Sequence, residues 1–191
     1  MPFGAGGNPD QGECIGIIHE AIGSGIYFID TADVYCLGES EGIVGKALKR
    51  RRDEIILTTR AHKQMGEGIN RSGNSRRWIM KAVGTSLGWL CTDWIDVYLV
   101  HRPDPATDVE ETLSALTDLV DQGKIRTFGS STYPDDLIVE AQWVAEQRGL
   151  DRFRCEAPPY SDFGFVRARE GPASRVRPGS SWFGRCWTVS A

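Results

Sequence analysis

The chain has 191 residues, 22 Lys and Arg against 26 Asp and Glu, and a net charge of −4. That length holds one domain, or one and a fraction. A charged fraction of 25% and an apolar fraction of 40% exclude disorder throughout, and the acidic balance lacks the basic face that nucleic acid requires.

No run approaches the roughly 20 apolar residues of a membrane span. The start, Met1 to Gly7, has no basic segment and no long apolar core, so it is not a secretory signal. Neither a nucleic acid nor a membrane is therefore expected as a partner. The cysteines (Cys14, Cys36, Cys91, Cys155, Cys186) are odd in number and widely spaced, with no C-x-x-C. This argues against a disulfide framework or a zinc site and for a reducing cytoplasm. The glycosylation triplet at Asn70-Arg71-Ser72 means nothing in that compartment.

In chain order, two periodicities alternate. Ile15, Ile18 and Ile22 predict a helix over 12–24, stopped by Gly25. His19 falls on its surface. A β-rich run at 26–29 follows. Ile43, Val44, Ala47 and Leu48 predict a helix over 40–50, and Lys49, Arg50 and Arg51 crowd its C-terminus, where the macrodipole favours cations. The run Lys49-Arg50-Arg51-Arg52 is read as a solvated helix end rather than a nucleic-acid patch. A strand over 55–59 leads into a loop at 61–73, long enough to be functional.

Asn74 and Ser75 open a helix over 75–90, and a strand spans 95–100. Asp108 opens a helix over 109–122 that Gly123 closes. A strand at 125–129 precedes a helix over 134–148, closed by Gly149. Trp78, Trp89, Trp94 and Trp143 fit packing positions. This alternation implies right-handed βαβ units on a parallel sheet. After Ser161 both periodicities stop. Residues 162–191 are rich in Arg, Gly and Ser and hold no Lys, Leu or Ile. They are read as a tail that does not continue the fold.

Four blocks lie where strands give way to loops: Phe28-Ile29-Asp30-Thr31-Ala32-Asp33-Val34-Tyr35, Leu57-Thr58-Thr59-Arg60-Ala61-His62, Tyr98-Leu99-Val100-His101-Arg102-Pro103 and Gly129-Ser130-Ser131-Thr132. In a β/α barrel all such ends converge on one face. A carboxylate, a phenol, a cation and an imidazole would meet there. Together they make a proton-transfer set: the phenol as acid, the cation lowering its pKa, the carboxylate orienting the cation and the imidazole holding a substrate oxygen. No G-x-G-x-x-G occurs, so a Rossmann cofactor site is not supported.

With these blocks stand Gly38-Glu39-Ser40-Glu41, Val44-Gly45-Lys46-Ala47-Leu48, Asp93-Trp94-Ile95-Asp96 and Gly123-Lys124-Ile125-Arg126. On these motifs the sequence resembles the aldo-keto reductase family, over residues 1 to about 161. The resemblance implies a TIM-type (β/α)8 barrel that transfers hydride from NADPH to a small-molecule aldehyde or ketone. Carried over by position, Asp30 orients the cation, Tyr35 protonates the carbonyl oxygen and His101 holds it. Ser131 and Thr132 meet the nicotinamide carboxamide. The loop around Gly66 to Arg77 is read as bordering the substrate mouth, as the family's long loop does, with a phosphate cradle as the alternative.

Some positions depart from the family pattern. The catalytic lysine falls at Arg60, which keeps the charge but is longer, planar and forked. Lys63, three residues further on, is the alternative cation. Ala157 stands where a cofactor-binding glutamine is expected.

The resemblance also implies an incomplete barrel. The first strand and the last two β/α units, with the loops that grip the cofactor phosphates, are expected to be missing. The domain reading is a partial barrel over 1–161 and an irregular tail over 162–191. Such a barrel is expected to leave two open parallel edges through which copies could self-associate. The tail composition fits a GC-rich coding sequence read out of frame, so a frameshifted or truncated gene is expected. Translating the other two frames after codon 161 checks this. The functional alternative is an inactive remnant or interaction protein of the same ancestry.

Overall fold

A computed structural model gives the structure of the chain and describes residues 3–158 and 189–190. Helices and strands alternate as α1 (Gln11–Gly23), β1 (Phe28–Asp30), α2 (Glu39–Leu48), β2 (Ile56–Ala61), α3 (Arg76–Leu90), β3 (Ile95–Val100), α4 (Val109–Asp121), β4 (Ile125–Ser131), α5 (Asp135–Arg148) and β5 (Glu156–Ala157). Short 3-10 turns occupy Tyr35–Gly38 and Arg52–Glu54.

The caps explain the boundaries. Asp10 accepts from the Glu13 amide (3.0 Å), Ser75 from the Trp78 amide (3.4 Å) and Asp108 from the Glu110 amide (2.8 Å). Each satisfies a donor that the first helical turn leaves free. Gly149 closes α5 in the left-handed conformation at φ 64°. At the end of α3 the same role falls to Cys91 at φ 50°, which no glycine signalled.

The strands run parallel in the order β5-β4-β3-β2-β1. Register aligns Asp30 with Thr58, Arg60 with Leu99, Leu99 with Gly129 and Ser131 with Ala157. Five parallel strands thus form half of a β/α barrel. A sixth short strand, β6 (Val189–Ser190), pairs parallel with Ile29 and Asp30. The expectation of two open edges is therefore corrected at β1, which β6 borders. On the other side β5 ends the order. The tail reading over 162–191 otherwise lies outside the described residues.

The core lies between the sheet and the helices. Ile18, Ile43, Val44, Leu48, Val83, Leu113, Leu116 and Leu119 are all buried. Gly45 permits the closest helix approach: a Cβ there would stand 2.7 Å from the backbone of Leu90, so α2 sits directly on the end of α3. Two surface expectations are corrected. Arg52 is not solvated but pairs with Asp96 (2.7 Å) and lies 4.5 Å over the Trp94 ring. Asp96 in turn accepts from the Leu57 amide, tying β3 to β2. Trp143 does not pack; it is 61% exposed on α5. No helix among the described residues is long and apolar enough to cross a membrane.

Candidate functional site

Parallel strands end on one rim, and the rim carries the polar side chains. Asp30 is the last residue of β1 and Arg60 the fifth of β2. They form an ion pair, Arg60 Nη2 donating to Asp30 Oδ2. Arg60 Nε donates further to the carbonyl of Thr31 (3.3 Å). Both side chains are nearly buried, at 12% and 10% exposure, and burial lowers the Arg60 pKa. Asp30 Oδ1 is buried without a partner.

His101 follows β3. Its amide donates to the carbonyl of Ala61 (3.1 Å), which locks it beside the end of β2. Burial first, then the nearby cations Arg60, Lys63 and Arg102 and last the His62 ring, push its pKa down to about 4. At neutral pH it is an uncharged imidazole with one N–H, which suits it to hold a carbonyl oxygen. Its Nδ1 is buried without a partner.

Ser131 ends β4, and its hydroxyl donates to the carbonyl of Ala157 (3.2 Å). Thr132 sits in the left-handed region at φ 57°. Its hydroxyl donates to the carbonyl of His101 (3.3 Å), so the two residues are mechanically linked. Both hydroxyl oxygens keep lone pairs that can accept from a carboxamide N–H. The nicotinamide end of a dinucleotide fits on that count. The segments that grip its phosphates are expected to be missing, and residues 159–188, where the chain continues, lie outside the described residues.

Tyr35 opens the 3-10 turn after β1, where its amide donates to the carbonyl of Ala32 (3.1 Å). It is half-buried. The structure brings Asp30, Arg60 and His101 together, but no hydrogen bond joins the Tyr35 phenol to them among the described residues. Burial raises the Tyr35 pKa. The expected lowering by a cation is not found: burial sets the direction. Cys36 (φ 50°) and Leu37 (φ 53°) follow in left-handed conformations. Each costs about 1–2 kcal/mol for an L-residue, so the turn carrying Tyr35 is strained.

The aldo/keto reductase family model matches residues 1–173. The chain belongs to the aldo/keto reductase family. Aldo-keto reductase YhdN of Bacillus subtilis is 41% identical over 160 residues, covering 82% of this chain and 46% of that protein. A probable voltage-gated potassium channel subunit beta of Arabidopsis thaliana is 34% identical over 170 residues, covering 85% of this chain and 52% of that one. Among solved structures, aldo-keto reductase AKR11C1 from Bacillus halodurans, in its holo form, superposes with a TM-score of 0.70 at 34% identity. That match covers 80% of this chain and 50% of the solved chain. This aldo/keto reductase chain thus spans about half the length of the relatives it matches. The family match runs past Ser161, where the motifs alone stop.

Sequence reasoning missed a second polar group in this aldo/keto reductase chain. Glu41, fully buried on α2, accepts from the hydroxyls of Thr59 (2.6 Å) and Ser86 (3.2 Å). Burial pushes its pKa up to about 7 against those hydrogen bonds. Asp33 is 2% exposed and both its oxygens lack partners. Burial, and then the Glu41 charge, raise its pKa to about 8. The Tyr98 hydroxyl is also buried and unpartnered, and both carboxylates act on it. Asp33 lies inside the Phe28–Tyr35 block and Glu41 inside the next motif. Their identity was visible; their burial was not.

By sequence Asn74 marks only the start of a helix. It is instead a hub. Its Oδ1 meets His62 Nδ1 (2.9 Å), its Nδ2 donates to the carbonyl of Arg102 (2.9 Å) and the hydroxyl of Tyr133 (3.3 Å), and its amide donates to Asp104 (2.8 Å).

Proposed function

We propose that the chain is the carbonyl-binding part of an NADPH-dependent oxidoreductase that reduces aldehydes or ketones. NADPH, when bound, supplies the hydride. The observation that carries the reading is the buried Asp30–Arg60 ion pair set beside an uncharged His101 at the strand ends. His101 N–H holds the substrate oxygen. Arg60, fixed by Asp30, offers a positive charge to the oxygen as it becomes an alkoxide, in surroundings where such stabilisation is strong. Tyr35 delivers the proton to that oxygen after the strained turn brings its phenol over the rim. Ser131 and Thr132 accept from the nicotinamide carboxamide. Free thiols at Cys14, Cys36, Cys91 and Cys155 suit a reducing cytoplasm.

The test is direct. Purified chain is titrated with NADPH and followed by fluorescence and thermal shift. Binding is expected, and no response at millimolar cofactor would end the enzyme reading for this polypeptide. Tyr35→Phe should keep cofactor binding and lower carbonyl reduction by about 10²–10⁴-fold. Undiminished turnover in that variant would refute the assigned proton donor.

A second reading, an interaction protein of the same ancestry, is supported by the relatives whose names describe a channel subunit beta. It also draws on the β5 edge, through which copies could self-associate. Here NADPH binding would be absent and the chain would sediment as an oligomer.

A further inference from the structure

A pocket of about 570 Å³ opens between the loop that follows β2 and the loop that follows β3. His62, Lys63, Ser72, Arg102, Asp104 and Thr107 are among its walls. It adjoins the rim by covalent neighbourhood: His62 follows Ala61, Arg102 follows His101, and the His101 amide donates to the Ala61 carbonyl.

The pocket is built rather than accidental. Asn74, 2% exposed, fixes the His62 ring, the Arg102 backbone and Asp104 at once. Its Nδ2 is a donor to the Arg102 carbonyl, so its Oδ1 accepts the His62 Nδ1–H. The charges in the wall do not cancel. Lys63 and Arg102 are exposed and have no carboxylate partner among the described residues. Asp104 is the acid of the wall, and its oxygens are already engaged by the amides of Asn74 (2.8 Å) and Ala106 (3.0 Å) and by the Thr107 hydroxyl (2.8 Å). Two cations therefore line a cleft whose carboxylate already accepts three hydrogen bonds from neighbouring residues. Ser72 and Thr107 add hydroxyls.

We infer that this pocket binds a compact oxyanion, a carboxylate or a phosphate, carried by the carbonyl substrate, with Lys63 and Arg102 as its specificity-determining residues. The inference rests on the carbonyl-reductase reading for the identity of the bearer, not for the anion site itself. A planar guanidinium and an ammonium on opposite loops suit an oxyanion, and the adjoining His101 then meets the carbonyl oxygen of the same molecule. Burial is the larger cause of the low His101 pKa; the bound anion offsets the part that comes from Lys63 and Arg102, so binding raises the His101 pKa.

The full chain, without cofactor, is titrated calorimetrically with phenylglyoxylate, with its neutral methyl ester and with inorganic phosphate. The acid is expected to bind at least about tenfold more tightly than the ester, a difference of about 1.4 kcal/mol. Added salt should shrink that preference. The Lys63→Met/Arg102→Met double variant should abolish it. Both positions are exposed, so the variant should fold, which circular dichroism checks. His101, followed by NMR, should titrate higher with phenylglyoxylate present.

Equal binding of acid and ester, no binding of either anion, or an unchanged preference in the double variant overturns the inference. Tight phosphate with weak phenylglyoxylate assigns the oxyanion to a phosphate group. Anion binding in a chain that binds no NADPH keeps the pocket and removes the reductase reading. Reduction of ester and acid at equal rates removes the pocket and keeps that reading.

Discussion

The helix-packed side of the sheet and its strands with their ends differ in how many polar groups they bury unpaired. On the helix side, Val44, Val83, Leu113, Leu116 and Leu119 are fully buried against one another. The acidic group placed there, Glu41, accepts hydrogen bonds at both oxygens, and the unpartnered buried atoms on the helices are two, Trp78 Nε1 and Gln142 Oε1. Along β1–β3 and their ends, Asp30, Asp33, Thr58 and His101 bury polar atoms that nothing satisfies. An unsatisfied buried polar atom costs about 1–3 kcal/mol. A fold tolerates several only where another region supplies the stability. The apolar layer carries the fold, and under the proposed function the rim holds groups poised for a ligand.

The largest expected effect breaks the rim. Arg60→Met leaves Asp30 buried and unpaired and should cost about 4 kcal/mol of unfolding free energy. The double change with Asp30→Asn should recover most of it. Urea denaturation of the four proteins checks this, and a double as unstable as the Arg60→Met single would show that the pair is not the source. Next, Leu116→Ala opens a cavity in the apolar layer and should cost about 3 kcal/mol. Folded Leu116→Ala protein should bind phenylglyoxylate and NADPH as the parent does, because its effect is confined to the helix side. A shared loss of stability and binding would mean the two regions are coupled.

The most gradual effect is a slope with pH. Asp33 and Glu41 hold protons in the fold up to about pH 8 and 7, whereas in the unfolded chain they release them near pH 4. Below about pH 4 both states are protonated, and this contribution to stability is complete. Between there and about pH 8 the unfolded chain loses protons that the fold keeps, so stability falls as pH rises, then levels. Asp33→Asn should flatten most of the slope, so that its stability relative to the parent grows as pH rises toward 8. Denaturant midpoints taken across that range decide it, and a midpoint that climbs with pH over the window would contradict the assignment.

The helices were legible because their signals are local. Ser75 and Asp108 cap the helices they precede, and Gly149 closes α5. Strand ends were legible because β-rich runs stop where polar blocks begin. Asp30, Arg60 and His101 could be nominated from those blocks alone. Tyr35 could be nominated too, but its hydrogen-bonding situation depends on three successive left-handed residues, Cys36, Leu37 and Gly38. Only glycine announces that conformation in a sequence. Arg52 defeated the reading in another way. A run of basic residues reads as solvated, while its partner Asp96 lies 44 positions away.

By itself the sequence determined the alternation of elements, the parallel sheet and the family, because hydrophobic period and capping act within a few residues. Tertiary structure alone decided which charges are buried, which oxygens go unpaired and that two loops enclose a cationic pocket. Burial and field are sums over atoms distant in the chain, and Asp33, Asn74, Lys63 and Arg102 acquire their roles only when those atoms are brought together.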